Sequence, residues 1–189
     1  FETQHDLVKV DCPKEGGCVN SPESLVRRPF TREEFAQAEG RPTIAVNGIL
    51  NDQERAAQLS YQNMLPDAQS GKKTDEVYLL HVAPANNLLS ELIGVGYERL
   101  TVAAGGDVGN VLGFTNAQIA LADLLHSRGQ QPANSDGHSR GTLVQAGAFY
   151  LLANRDPQSG GPFVNPSLNV RGVGGAMGAV EYTNLARRV

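Results

Sequence analysis

The chain has 189 residues and a formal net charge of −4, with 40% hydrophobic and 19% charged residues. This composition can bury a sizeable core, which argues against a disordered tail, and the length fits one domain of roughly 100 to 200 residues. Nucleic-acid binding is not expected, because an acidic chain without a basic stripe lacks the electrostatic footprint for phosphate. No apolar run approaches the ~18 residues of a membrane span, so no span is predicted.

Residues 1–42 are predicted to form a short N-terminal extension that lies against the main body. A helix is predicted over 31–38, capped by Thr31, and Ser21-Pro22-Glu23 predicts a helical turn. These pieces have too little apolar periodicity to make a domain. The first residue is Phe1, without a charged or apolar leader, which suggests a piece of a longer polypeptide.

Cys12 and Cys18 flank a segment with a proline and two adjacent glycines, in which the chain can reverse sharply. A disulfide loop of an exported protein is the favoured interpretation, and two unpaired thiols in a frayed terminus are the alternative. Neither cysteine belongs to a cluster with zinc-site spacing, so no metal site is predicted.

From residue 43 onward, apolar runs of strand length alternate with amphipathic helical segments. Strands are predicted at 43–46, 77–82 and 168–173, and helices at 52–64, 89–100, 115–128 and 142–153. Residues 77–82 are apolar without alternation, which is typical of a strand covered on both faces. The pattern predicts one α/β domain over 43–189, with a mostly parallel sheet and flanking helices.

Two segments are predicted to be loops. Residues 66–75 are polar, and residues 103–110 are glycine-rich. The second segment lacks the Gly-Lys-Ser/Thr ending of a phosphate loop, so we expect a flexible loop or lid there. No cofactor is predicted.

Gly137-His138-Ser139-Arg140-Gly141 matches the Gly-x-Ser-x-Gly nucleophile elbow, a tight strand-to-helix turn that exposes a serine. Ser139 is the candidate nucleophile. The candidate oxyanion donors are Arg140, which follows the serine, and Asn47-Gly48, which follow an earlier strand. With 21 glycines in the chain, a chance match is the alternative, and the polar residues 130–136 are unlike the apolar strand that usually precedes such a serine.

A catalytic serine needs a base, and in α/β-hydrolases the acid and the histidine follow it along the chain. No histidine follows Ser139, and the later carboxylates are Asp156 and Glu181. His81, near the end of a predicted central strand, is the candidate base, with a structural role as the alternative.

Three blocks together resemble one protein family. They are Val46-Asn47-Gly48-Ile49-Leu50-Asn51-Asp52, the segment from Leu80 to Asn87 with Glu91-Leu92 and Gly96-Tyr97, and Gly137-His138-Ser139-Arg140-Gly141-Thr142-Leu143. The family is that of the C-terminal effector regions of filamentous-haemagglutinin-like, two-partner-secreted proteins of Gram-negative bacteria, including contact-dependent growth-inhibition systems. The resemblance covers about residues 43–153 and extends more loosely to about 180.

The resemblance implies a secreted or cell-surface toxin that is delivered into neighbouring bacteria and neutralised by a cognate immunity protein. It maps Ser139 onto the nucleophile and Asn47-Gly48 onto the oxyanion loop of an α/β-hydrolase-like domain. Lipid or ester cleavage is the expected activity. Other members continue with Asp- and His-containing segments, so the domain is expected to be truncated at its C-terminus. The alternative is a non-catalytic delivery or protein-binding module.

Overall fold

The computed structural model describes residues 4–13, 18, 21–48, 51–63, 76–84, 114–154, 162–175 and 179–189. The helix predicted over 89–100 and the loops predicted at 66–75 and 103–110 lie outside these residues. Within the described ranges, no helix combines the length and apolarity needed to cross a bilayer.

Six strands form one mixed sheet. They are β1 (His5–Asp11), β2 (Val26–Pro29), β3 (Thr43–Val46), β4 (Val77–Val82), β5 (Ala133–His138) and β6 (Leu168–Val173). Their order in space is β2-β1-β4-β3-β5-β6. Strands β4, β3, β5 and β6 are parallel, whereas β1 runs antiparallel to both of its neighbours. The predicted α/β class with a mostly parallel sheet is confirmed.

The N-terminal region differs from its prediction. Strand β1 lies inside the sheet, where it pairs with β4 over six residues, and β2 forms the edge beyond it. The prediction of an extension lying against the main body is therefore wrong for these residues. The charged side chains of β1 concealed the strand: Lys9 is 6% exposed and is held there by ion pairs with Asp11 and Glu76.

Five α-helices flank the sheet in the described part of the chain. They are α1 (Arg32–Gln37), α2 (Gln53–Asn63), α3 (Asn116–Ser127), α4 (Arg140–Asn154) and α5 (Ala179–Ala186). The first four match predicted helices to within two residues, and a 3₁₀ turn at Pro22–Ser24 matches the predicted helical turn. Helix α5 was not predicted, because the glycines that precede it break the apolar pattern.

Side-chain caps fix where three helices begin. Thr31 accepts a hydrogen bond from the Glu34 amide at the start of α1. Thr115 and Gln118 form a reciprocal capping box at the start of α3. The Asp52 carboxylate accepts from the Arg55 amide at 2.7 Å before α2. Each cap satisfies an amide that has no partner within its helix.

The sheet has two unlike faces. Helices α1, α3, α4 and α5 pack on one of them, which we call the core face, and this face holds the larger apolar cluster. Helix α2 packs on the opposite face, which we call the α2 face. Its cluster is smaller and consists of Val8, Val10, Ala45, Ala56, Ala57, Val77 and Leu79.

The predicted disulfide between Cys12 and Cys18 is formed, with their Cα atoms 5.9 Å apart. Cys18 is fully buried. Its amide donates a hydrogen bond of 3.3 Å to the Tyr61 hydroxyl on α2. The disulfide therefore anchors the connection between β1 and β2 against the helix that covers the α2 face.

Candidate active site

Ser139 occupies the turn between a strand and a helix. Strand β5 ends at His138 and α4 begins at Arg140, so the serine is the single residue between them. Its φ angle is 51°, and it is the only non-glycine residue with positive φ among those described. A β-carbon disfavours this conformation, which is held only where the surroundings impose it. This strained strand-to-helix turn is what the elbow motif predicts.

Hydrogen bonds hold the turn from both sides. The Ser139 amide donates to the Val173 carbonyl at the end of β6 over 2.8 Å. The Ser139 carbonyl accepts from the Thr142 amide at 3.0 Å and from the Thr142 hydroxyl at 2.7 Å. The turn is therefore joined both to the neighbouring strand and to the first turn of α4.

The two glycines of the motif are required by packing. A β-carbon on Gly137 would overlap the side-chain amide of Gln145, and one on Gly141 would overlap the Val46 carbonyl of β3. The glycines thus let α4 approach the ends of β3 and β5 closely. This packing gives both glycines of the motif a structural cause.

Gln145 ties together the elements around the elbow. It is fully buried, and its amide nitrogen donates to the Ser135 hydroxyl at 3.0 Å and the Arg171 carbonyl at 3.3 Å. Its amide oxygen accepts from the Tyr182 hydroxyl of α5 at 2.6 Å. Burial is the main reason why the pKa of Tyr182 is raised, so this hydroxyl stays protonated as a donor. Sequence reasoning missed Gln145 because its partners are distant along the chain.

Asn47 fixes the loop after β3. Its side-chain oxygen accepts from the Val82 amide at 2.7 Å. Its side-chain nitrogen donates to the carbonyls of Val82 and Gly48, each at 3.0 Å. The side chain therefore joins the ends of β3 and β4 as a backbone pair would and holds the Gly48 carbonyl in place.

Gly48 lies directly against the elbow. A β-carbon on Gly48 would be 3.1 Å from His138 Nδ1 and 3.2 Å from Ser139 Cβ. Arg140, which follows the serine, begins α4, and its side chain is buried. The structure thus brings together Ser139 and the predicted oxyanion residues Asn47, Gly48 and Arg140.

The polar character of β5 has its cause in cross-strand partners. Asn134 donates to the Thr43 hydroxyl of β3 at 3.1 Å and accepts from Asn169 of β6 at 3.2 Å. Arg171 of β6 donates to the Asp136 carboxylate at 2.6 Å. These side chains share the α2 face, since Thr43 pairs with Asn134 in register. A strand can be both polar and buried when neighbouring strands supply hydrogen-bond partners for its polar side chains.

A small cavity of about 20 Å³ adjoins the elbow on the α2 face. The residues around the turn that line it are Asn47, Gly48, Gly137, His138 and Val173. Helix α2 supplies Ala56, Leu59 and Ser60, and the strands also supply Ala45, Asp136 and Arg171. The cavity therefore lies between α2 and the polar pairs of β5 and β6.

His81 is not in contact with Ser139. It lies on β4, two strands from β5, which corresponds to roughly 10 Å between strand axes. Its ring is buried, and its Nε2 atom donates to the Asn51 carbonyl at 3.1 Å. Its Nδ1 atom lies 4.0 Å from the Asp6 carboxylate, too far for a hydrogen bond. In this position the ring bonds to the Asn51 carbonyl, as expected for a histidine with a structural role.

His138 is the histidine nearest to the serine. Its Nδ1 atom is buried and has no hydrogen-bond partner in the described part of the chain. The same atom faces Gly48, as does the side chain of Ser139. Sequence reasoning named His81 rather than His138 as the candidate base, although His138 lies inside the motif.

The described residues contain no group of three or more His, Cys, Asp or Glu side chains that could hold a metal ion. Comparison of the chain with protein-family models, curated proteins and solved structures finds no match. Functional inference therefore depends on the geometry of the site and on the sequence motifs.

Proposed function

We propose that the protein is a serine ester hydrolase of the α/β-hydrolase type, with Ser139 as its nucleophile. The observation that carries this proposal is the positive φ of Ser139 between β5 and α4. Non-glycine residues held in this conformation cluster at active sites and ligand-binding sites. The exclusion of side chains at Gly137 and Gly141 supports the same conclusion.

The proposed reaction has two acyl-transfer steps. Ser139 Oγ bonds to the acyl carbon of an ester while its proton passes to an imidazole base, and the alcohol leaves with that proton. Water then attacks the acyl-serine, its proton passes to the same base, and the serine regains a proton as the carboxylic acid leaves. Backbone amides at Gly48 and Arg140 are the proposed donors to the oxyanion.

His81 stays the base predicted from the sequence, and it would have to leave its contact with Asn51 to reach the serine. His138 is the second candidate, because it adjoins the serine and its unpartnered Nδ1 atom faces Gly48, as Ser139 Cβ does. The pH dependence of phosphonylation in His81→Asn and His138→Asn distinguishes them. The variant that loses the inflection due to an imidazole, while its thermal melt is unchanged, identifies the base.

Labelling with a fluorophosphonate tests the hydrolase proposal. We expect the native chain to be labelled and Ser139→Ala to remain unlabelled. Ser127→Ala is the matched control, since the Ser127 hydroxyl on α3 donates to the Leu124 carbonyl of the same helix, away from the elbow. Equal labelling of the native chain and Ser139→Ala would reject the proposal.

We further propose, from the sequence resemblance alone, that this hydrolase is a toxin secreted by a Gram-negative bacterium and delivered into neighbouring cells. A cognate immunity protein would neutralise it, and its substrate would be a lipid or another ester. Expression inside susceptible cells should arrest growth in a Ser139-dependent manner. Growth unaffected by a folded native chain would argue against the toxin.

A non-catalytic delivery or protein-binding module is the second candidate. It is favoured by one observation: no side chain in the described part of the chain bonds to the Ser139 hydroxyl, although a working triad places an imidazole there. This function predicts that Ser139→Ala leaves growth inhibition unchanged. Loss of inhibition by a folded Ser139→Ala protein would exclude it.

A further inference from the structure

The cavity on the α2 face continues from the elbow into the space beneath helix α2. Gly48 lines the cavity, and a β-carbon on it would be 3.1 Å from His138 Nδ1 and 3.2 Å from Ser139 Cβ. Glycine at this position therefore leaves the space beside the serine free of a side chain. The cavity is thus placed where one substituent of a carbonyl attacked by Ser139 could lie.

Part of the cavity wall is apolar. Ala45 of β3 and Ala56 and Leu59 of α2 line the cavity, and both alanines are buried. A volume of about 20 Å³ is slightly more than the space that one water-sized probe needs, which is also the scale of a methyl group.

The remaining wall is charged. Arg171 and Asp136 form an ion pair there, and the Asp136 side chain is 16% exposed. A long alkyl chain extending past these apolar side chains would cover this ion pair and remove its remaining hydration. Loss of hydration is unfavourable for charged groups. The wall therefore favours a short substituent over a long one.

We propose that this cavity is the acyl pocket of the enzyme and that it accepts an acetyl-sized acyl group in preference to longer acyl chains. This inference rests on the proposed hydrolase function and makes its substrate class specific: short-chain esters rather than long-chain lipids. Leu59 and Ala56 of α2 line the cavity and are the side chains whose size the test changes.

The test uses three esters of one leaving group: p-nitrophenyl acetate, butyrate and octanoate. For the native chain we expect kcat/KM to be highest for acetate and to fall about tenfold or more for butyrate and again for octanoate, since a misplaced methylene costs roughly 10- to 200-fold in a shaped pocket. Fluorophosphonate labelling of Ser139 is measured on the same preparations.

Two variants and one control define the pocket. Leu59→Ala enlarges it and should raise the octanoate-to-acetate ratio about tenfold, whereas Ala56→Leu fills it and should lower acetate turnover by a similar factor. Gln58→Ala changes the same helix at a residue that does not line the cavity, so it should leave the ratio unchanged. Thermal melts check that each variant folds. If Ala56→Leu does not fold, the result for Leu59→Ala alone decides the test.

Short-chain preference that shifts in Leu59→Ala supports the proposal. Two results would overturn the acyl pocket while Ser139 is still labelled normally: octanoate hydrolysed as fast as acetate, or an octanoate-to-acetate ratio that does not change in Leu59→Ala. Either result would leave the proposed hydrolase function intact. Absence of Ser139-dependent labelling overturns both.

Discussion

The two faces of the sheet differ in what they bury. The core face is covered by four helices and buries large apolar side chains, including Phe35, Tyr78 and Phe149. The α2 face has one described helix, whose buried side chains in its cluster are Ala56 and Ala57. Beside it run the polar pairs of β5 and β6.

The core face therefore contributes mainly to the stability of the fold, whereas the α2 face contains the residues beside the proposed active site. Burial of apolar surface on the core face supplies most of the free energy of folding. The α2 face contains the cavity and the charged pair next to Ser139, where close apolar packing would leave no space for a substrate. The elbow lies at the end of β5, where both faces meet, so its geometry depends on each of them.

The largest expected effect comes from two adjacent residues of β4 that point to opposite faces. Leu80 and Leu79 are both fully buried, Leu80 in the core-face cluster and Leu79 in the α2-face cluster. We expect Leu80→Ala to lower the free energy of unfolding by about 3–5 kcal/mol and Leu79→Ala by about 2–3 kcal/mol, because one helix with small side chains can close over a deletion. Urea denaturation measures both, and an equal loss would contradict the contrast.

Asn47 tests how the elbow depends on the strand ends. In Asn47→Asp the donor nitrogen becomes an oxygen that faces the carbonyls of Val82 and Gly48. We expect a loss of about 2–4 kcal/mol, since a buried carboxylate would have its bonds replaced by repulsion. Phosphonylation of the folded fraction should slow as well. Asn154→Asp, an exposed asparagine on α4, is the control, and equal effects in both variants would show that Asn47 has no special role.

Removal of the disulfide tests whether the α2 face can be loosened without affecting the core face. Removing it in Cys12→Ser/Cys18→Ser opens a loop with a sequence separation of 6, and we expect a loss of about 2 kcal/mol from the unfolded-chain entropy of so short a loop. Because Cys18 bonds to Tyr61, hydrogen exchange should quicken in α2 and stay unchanged in α3. Quickening in both helices would mean that the two faces respond as one unit.

The smallest expected effect is at Glu34 of α1, on the core face. The hydrogen bond from Arg28 is the main cause that holds the pKa of Glu34 below its ordinary value. A lowered pKa stabilises the fold above the ordinary carboxyl pKa, and this contribution disappears as the pH falls through the lowered value. The pair is partly exposed, so Glu34→Gln should cost about 0.5 kcal/mol near pH 7 and progressively less as the pH falls below the ordinary carboxyl pKa. A constant difference between the two urea midpoints would contradict this assignment.

Local signals predicted much of the fold. The caps at Thr31 and Thr115 and the apolar stripe of α3 are contained in short stretches of sequence, and the helices begin where these predict. The elbow at Ser139 was equally local, because its two glycines lie beside the serine that they accommodate.

Strands whose polar groups are satisfied from far along the chain could not be predicted in the same way. In β1, the buried ammonium group of Lys9 forms an ion pair with Glu76. In β5, the buried side chain of Asn134 donates a hydrogen bond to Thr43, which is 91 residues away. The segment Ala133–His138 alone has the composition of a loop, and charged residues interrupt the apolar ones of His5–Asp11. The position of His81 on a central strand was predicted correctly, but its partner Asn51 is visible only once β3 and β4 are adjacent.

The most direct test of the central claim is the rate at which a fluorophosphonate modifies each serine, determined by peptide mapping of the folded and the urea-unfolded chain. The strained turn at Ser139 predicts modification at Ser139 alone, and only in the folded chain. Modification of Ser139 at the same rate after unfolding, or of another serine at a comparable rate in the folded chain, would contradict the claim that the fold activates this residue.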